Sequence, residues 1–382
     1  MADNTRWGIP SETVDESKKE DKMVIEYPVF KAAAVQAGSV FKDKPLYFDS
    51  KATLSKACDR IAEAGDNGAE LIVFPETFLP GYTYWARDLK KGREFTVIWR
   101  EYLRHSVEVP GEETEVLCKA AKEANAYVAM GINERDKRYE GRMYNAILFI
   151  SRRGEIMGVH RKLNPTSHEL FFHTRGDGGD NLRVFETDLG KMAGLICGEH
   201  YQPTLKHNLI IQGAQVNCSL WPGHKGTAVP LLAIAQVMTQ ALCISGSLWA
   251  VLASAYIPQD QVPEDFYDNN EFDITAGGSC IINPFGEIVA GPAYDEETIV
   301  YHEIDLAMNP LGKSVINLTG IYSRWDVLSV GVRQKQYEPF FTLENIEAVA
   351  SPTVTDELAE LRAKIESLEG KLRSMEQAKA EE

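Results

Sequence analysis

Apolar positions along most of the chain fall into short blocks, and the spacing inside each block predicts what it forms. Residues 30–37, FKAAAVQA, read as a first core strand. Residues 49–64 put Leu54, Ala57, Ile61 and Ala64 at helical spacing, which predicts an amphipathic helix. The run AELIVFPE (69–76) is apolar until it stops on Pro75-Glu76, the pattern of a strand covered on both faces. A helix over 112–124 leads to a strand over 126–134, and 144–151 with 155–162 read as a hairpin. The alternation then repeats. A strand ends on Cys197, helices follow over 204–213 and 229–245, and strands follow over 214–220, 247–255, 278–284 and 298–304. Strands alternating with helices, then neighbouring strands joined by the Gly-containing turn NPFGE, predict an α/β layered sandwich with mixed sheets.

The two ends follow other rules. Residues 1–27 are polar and charged and read as a flexible arm before a main domain over 28–340. In the extension over 341–382, Leu358, Leu361, Ile365, Leu368, Leu372 and Met375 alternate spacings of three and four, an amphipathic helix with an a/d seam that Gly370 weakens. That seam either packs on its own subunit or joins it to another copy.

Composition narrows the field by exclusion. Among 382 residues, 40 Lys and Arg face 56 Asp and Glu, a net charge of -16. Nucleic acid and anionic membrane both need a basic footprint, so neither is an expected partner. The N-terminus lacks an apolar core of signal-peptide length and no run is long enough to span a bilayer, so a cytoplasmic location is expected. Six cysteines without a C-x-x-C pair read as reduced thiols, and no cysteine–histidine spacing suits zinc, so no metal is expected.

Candidate chemistry sits where apolar blocks stop. LIVFPE ends on Glu76, a carboxylate whose pKa desolvation would raise toward general-base work. GVHRK ends on Lys162, with Glu169 seven residues on. GLIC ends on Cys197, followed by Gly198, Glu199 and His200. Singly, each has a plain alternative: a capping carboxylate, a surface lysine beside Arg161, a buried thiol beside a glycine turn. Together they supply a nucleophile, its base and a cation for the negative charge that attack creates.

Three blocks in this order, FPETFLPGY, HRKLNPTSHE and GLICGEHYQP, resemble the nitrilase superfamily of carbon–nitrogen hydrolases. The stretch 176–197, SLWPG, GGSCIINPFGEIVAGP and IYSRWDVLSV extend the match over about residues 30 to 335, in wording nearest the nitrilase branch. The resemblance implies an αββα sandwich that pairs with a second copy of itself. It implies Glu76 as general base, Lys162 as anion stabiliser, Cys197 as nucleophile and Glu169 as the carboxylate that positions substrate and lysine. Tyr82, Gly198, Glu199, His200, Trp221 and Pro222 are expected to line the substrate pocket. No cofactor is implied. The substrate is expected to be a small organic nitrile, or, with the same residues, a carboxamide; a non-catalytic scaffold is the reading that the four intact residues disfavour. The chain departs from the family at Gly198, where relatives usually carry Trp, and at Leu170, where they usually carry Arg. A roomier pocket beside the thiol is the expected consequence.

Overall fold

The computed structural model describes residues 25–42, 48–87, 93–179, 181–225, 230–262, 275–333 and 361–370. The N-terminal arm up to residue 24 lies outside them. In chain order the first half contributes β1 (Val29–Gln36), α1 (Ser50–Asp66), β2 (Leu71–Val73), α2 (Arg93–His105), β3 (Val107–Glu108), α3 (Glu112–Glu123), β4 (Tyr127–Arg135), β5 (Met143–Ile150) and β6 (Ile156–Arg161). The second half contributes β7 (Phe185–Thr187), β8 (Gly190–Ile196), α4 (Pro203–Ile211), β9 (Val216–Trp221), α5 (Leu231–Gly246), β10 (Trp249–Ser254), β11 (Cys280–Ile282), β12 (Ile288–Ala290), β13 (Thr298–Asp305) and α6 (Met308–Lys313).

These strands make two sheets. One runs β13-β1-β2-β4-β5-β6, with β3 also on β4, and the other runs β12-β11-β10-β9-β8-β7. Both are mixed: β1, β2 and β4 are parallel, with β3 parallel to β4, as are β8, β9 and β10, and the remaining strands are antiparallel. Side chains alternate across a strand, so a strand covered on both faces must be apolar throughout. β1 shows this directly, sending Ala33 and Val35 toward α1 and α3 and Ala32 and Ala34 toward the other sheet.

Three apolar layers result. Ala57 and Ile61 of α1 and Leu117 and Ala121 of α3 cover the outer face of the first sheet. Leu71, Val73 and Ile147 meet Ile196, Val216, Leu220 and Val251 between the sheets. Leu209 and Ile210 of α4 and Leu242 and Cys243 of α5 cover the second sheet. The order helix, sheet, sheet, helix fits the layered α/β sandwich that the alternation predicts and the αββα order that the resemblance implies.

α2 is not among the elements expected above, although Phe95, Ile98, Trp99, Tyr102 and Leu103 recur at helical spacing. Its apolar face packs on a satellite core with Phe48, Tyr82, Tyr84 and Phe172 rather than on either sheet. The expected strands also end earlier than their apolar runs. β2 stops at Val73, three residues before Glu76, and β8 stops at Ile196, so Cys197 opens a 3-10 turn, Cys197–Tyr201. No helix among the described residues is long and apolar enough to cross a membrane.

The chain divides into a unit over Met1–Lys335 and a second over Gln336–Glu382. In the second, residues 361–370 are helical, with Leu361, Ile365 and Leu368 all exposed. Leu358, Leu372 and Met375 of the expected seam lie outside the described residues.

Candidate active site

Both sheets deliver strand ends to one place. Past β2 comes Glu76, past β6 comes Lys162, past β8 comes Cys197, and β9 ends on Trp221. The Glu76 N–H donates to the Trp221 carbonyl at 3.4 Å, tying the first sheet to the second.

Lys162 is fully buried, and its Nζ donates to Glu76 Oε1 at 2.7 Å and to Glu169 Oε1 and Oε2 at 2.9 and 2.8 Å. A buried cation persists only when paired, and here two carboxylates hold the ammonium charged well above its ordinary range against the pull of burial. The two carboxylates share that lysine but not its effect. Burial pushes the Glu76 carboxyl up; Lys162 opposes this and the Glu169 charge adds to it, leaving it at about 7. Burial acts on Glu169 too, but the Lys162 charge, with hydrogen bonds from Lys162 and Tyr82, outweighs it and holds Glu169 below the usual carboxylate range. Glu169 also accepts from the Tyr82 hydroxyl at 2.7 Å and the Thr166 N–H at 3.0 Å.

Glu76 Oε1 is doubly engaged, accepting from Lys162 and, at 2.6 Å, from Asn145 Nδ2 of β5. Its Oε2 is buried and has no hydrogen-bond partner among the described residues. One carboxylate oxygen is therefore locked and the other is left to take a proton.

Cys197 has φ +42°, a left-handed conformation that β-carbon-bearing residues enter at a cost of about 1–3 kcal/mol. Its neighbour Gly198 lies outside that region, so the sharp turn is carried by the cysteine itself and the glycine is not needed for it. Burial first, and the Glu76 charge after it, push the thiol well above its ordinary range; Lys162 and the Gly198 N–H draw it down without overcoming them. The sulfur is protonated at neutral pH and needs a base to become nucleophilic. It faces a cavity of about 450 Å³ lined by Tyr82, Glu169, Gly198, Trp221 and Pro222, and by Leu231 and Leu232 of α5.

Comparison with known proteins gives the family. The carbon–nitrogen hydrolase family model matches residues 31–309. The chain is 36% identical over 292 residues to a protein named Nitrilase 2 from an unknown prokaryotic organism, covering 76% of this chain and 90% of that one. It is 35% identical over 332 residues to an aliphatic nitrilase of Rhodococcus rhodochrous, covering 84% and 87%. This chain belongs to the carbon–nitrogen hydrolase family. Within that family its similarity lies with the nitrilase branch. Solved structures share the fold: Saccharomyces cerevisiae Nit3, a member of branch 10 of the nitrilase superfamily, has a TM-score of 0.61 at 21% identity over 76% of this chain and 95% of its own. An amidase from Nesterenkonia sp. has 0.55 at 14% identity over 78% and 100%.

Two pocket residues expected in this carbon–nitrogen hydrolase stand elsewhere. Glu199 is fully buried, and it accepts from His160 Nε2, the Leu163 N–H and the Ile196 N–H. His200 is also fully buried, and its Nδ1–H donates to the Cys197 carbonyl at 3.0 Å. That leaves Nε2 to accept from Ser219 Oγ at 3.0 Å, itself approached by Asn217 Nδ2 at 2.7 Å. Burial drives this imidazole down to about 4, so it is neutral and the tautomer follows from its partners. Gly198 and Tyr201, one 3-10 repeat apart, both line the cavity, whereas the Glu199 and His200 side chains are buried in the interior by their own hydrogen bonds.

Other residues of the site were not anticipated. Asn145 lies inside an apolar run, and a fully buried amide in such a strand is itself a signal, because it must have a partner. His168, Tyr201, His224, Leu231 and Leu232 line the cavity without any local pattern that announces them. Among the described residues no cluster of His, Cys, Asp and Glu could hold a metal ion.

Proposed function

We propose that this hydrolase converts an organic nitrile to a carboxylic acid and ammonia through a thioester on Cys197. The observation that supports it most is the divided Glu76 carboxylate: Oε1 fixed by Lys162 and Asn145, Oε2 buried and unengaged, and a pKa of about 7. A base of that strength is ionised for a large part of the time at neutral pH and still binds a proton well.

Glu76 takes the thiol proton, and the sulfur adds to the nitrile carbon as the nitrogen gains that proton. The product is a thioimidate, with one carbon–sulfur bond formed and one carbon–nitrogen π bond broken. A first water then adds as Glu76 takes one of its protons, giving a tetrahedral species whose negative charge is opposed by Lys162, fixed in place by Glu169. Transfer of a proton from Glu76 lets ammonia leave and the thioester remain. A second water, deprotonated by Glu76, releases the acid and restores the thiol. Two waters and one nitrile thus become one acid and one ammonia, with no redox change.

Ammonia release across matched nitriles, carboxamides and inorganic cyanide tests the reading. Release from nitriles, with a mass adduct of the acyl group on Cys197 after acid quench, is the expected result. Release from carboxamides alone would make the enzyme an amidase using the same residues. Self-association belongs to the same proposal, supported by Val237 and Ile244, seven residues apart and exposed on α5. Light scattering that finds only a monomer at working concentrations removes it.

A further inference from the structure

Glu199 makes contacts that the mechanism above does not use. Its Oε1 accepts from the Leu163 N–H at 2.8 Å, and Leu163 follows Lys162 directly. Its Oε2 accepts from the Ile196 N–H at 2.9 Å, and Ile196 precedes Cys197 directly. The lysine follows β6 of the first sheet and the thiol follows β8 of the second. One buried carboxylate therefore holds the backbone beside both residues, from opposite sides of the interface between the sheets. We propose that Glu199 is a positioning residue that sets the separation of Lys162 and Cys197, with His160 fixing the carboxylate in turn.

The donor set suits that role and no other obvious one. His160 Nδ1 accepts from the Leu182 N–H at 3.4 Å, so the ring proton is on Nε2, which donates to Glu199 Oε2 at 2.8 Å. Three donors around one fully buried carboxylate keep it ionised, and a charged acceptor makes the stronger kind of hydrogen bond. The left-handed backbone at Cys197 also requires restraint from its surroundings. Glu199 grips the peptide before the nucleophile and His200 grips the carbonyl of the nucleophile itself. A neutral amide in place of Glu199 keeps the volume but offers one acceptor oxygen; its NH2 group would face one of the two backbone N–H donors. The lysine loop and the thiol would then separate.

The proposal rests on the Cys197 reading, and its test is chosen to stand apart from nitrile turnover. Iodoacetamide alkylates Cys197 without needing a nitrile, and peptide mass spectrometry reads that site alone. In Glu199→Gln the alkylation rate and kcat should fall together, by about 100-fold for a displacement near 1 Å, while KM stays within about twofold. A second pair of variants decides the matter if Glu199→Gln does not fold. His160→Phe keeps a ring and removes the donor, whereas His160→Gln keeps a donor. Both should lower the unfolding temperature, but only His160→Phe should slow Cys197 alkylation, by about five- to tenfold as one charge-assisted hydrogen bond is lost. Wild-type alkylation by Glu199→Gln, or equal alkylation rates in the two His160 variants, overturns the positioning role. A wild-type enzyme that ignores every nitrile but alkylates rapidly at Cys197 overturns the substrate and leaves the positioning role standing.

Discussion

The floor and the wall of the same cavity are built in opposite ways. The floor is a network that reaches the cavity through Glu169: Glu76, Asn145, Lys162 and Glu169 are polar and buried, and they bond to one another across the ends of β2 and β6, β5 and the turn at Ser167–Phe171. On the wall, Gly198 contributes no side chain, Tyr201 is 46% exposed, and Leu231 and Leu232 present plain apolar surface from α5. A buried charge that loses its partner has no water to replace it, so each floor residue depends on the others. A wall residue answers only to the volume of whatever fills the cavity. The chemistry is thereby fixed in a cross-braced network, and the choice of acyl group is left to positions that have slack.

The largest effect should come from the thiol that the floor network serves. Cys197→Ala is expected to lower ammonia release by on the order of 10^4-fold or more while the circular dichroism spectrum is unchanged. Cys218, Cys243 and Cys280 are buried, and burial alone pushes Cys218 and Cys280 up to about 12, so they are inert thiols. Their alanine variants should keep turnover even where packing suffers. Wild-type ammonia release by Cys197→Ala would end the mechanism.

Removing the shared cation tests the network as a network. Lys162→Met should abolish turnover and cost about 3–5 kcal/mol near pH 8, because two buried carboxylates lose the charge that balances them. Without the lysine, burial raises both carboxyls above their unfolded values, so the folded variant binds more protons than the unfolded one. Its stability should therefore be present at low pH and drain away as the pH rises through those raised values. Urea unfolding at pH 5.5 and pH 8 measures this; a variant less stable at pH 5.5 than at pH 8 contradicts the account.

In the intact enzyme the same electrostatics set a pH profile. Glu76 must be ionised to accept the thiol proton, and its carboxyl lies at about 7. On the acid side kcat/KM should fall about tenfold per unit below that value. Asn145→Leu removes a hydrogen bond that favours the ionised form, so the limb should move to higher pH. An acid limb below pH 5, in the range of an ordinary glutamate, would assign the base elsewhere.

How much of this was legible before folding depends on how local each signal is. Glu76, Lys162 and Cys197 stand where apolar runs break, and a reactive side chain at a broken run is visible in one dimension. Asn145 is not, because its partner Glu76 is 69 positions away and its own neighbours simply read as strand. Glu199 and His200 adjoin the thiol in sequence and so suggest a pocket wall, but their hydrogen bonds to the interior keep both buried away from it. α2 shows the converse: its periodicity is present, yet its partners form a satellite core that no repeat of strand and helix implies. A layered α/β sandwich with mixed sheets followed from alternation and the αββα order from the family resemblance, whereas the faces of a five-residue turn needed its backbone.

The smallest effect, and the sharpest separation of floor from wall, should come from Gly198→Trp. The backbone at Gly198 is open to any residue, so the substitution carries no penalty of conformation. A Cβ there would stand 3.0 Å from Thr166 Oγ1, close enough that the threonine must give by a few tenths of an ångström. Beyond that contact, an indole would occupy part of a cavity of about 450 Å³. Overpacking costs about 1–3 kcal/mol, which predicts a loss in kcat/KM of about tenfold on the largest acyl groups accepted and little on the smallest. Thr166 also offers its N–H to Glu169 Oε2 at 3.0 Å, so a wall residue pressing on it has a route to the floor. A loss confined to large substrates keeps wall and floor separate. A uniform loss, reproduced by Gly198→Ala, would mean that Thr166 carries the strain to Glu169 and that the glycine protects the chemistry rather than the room.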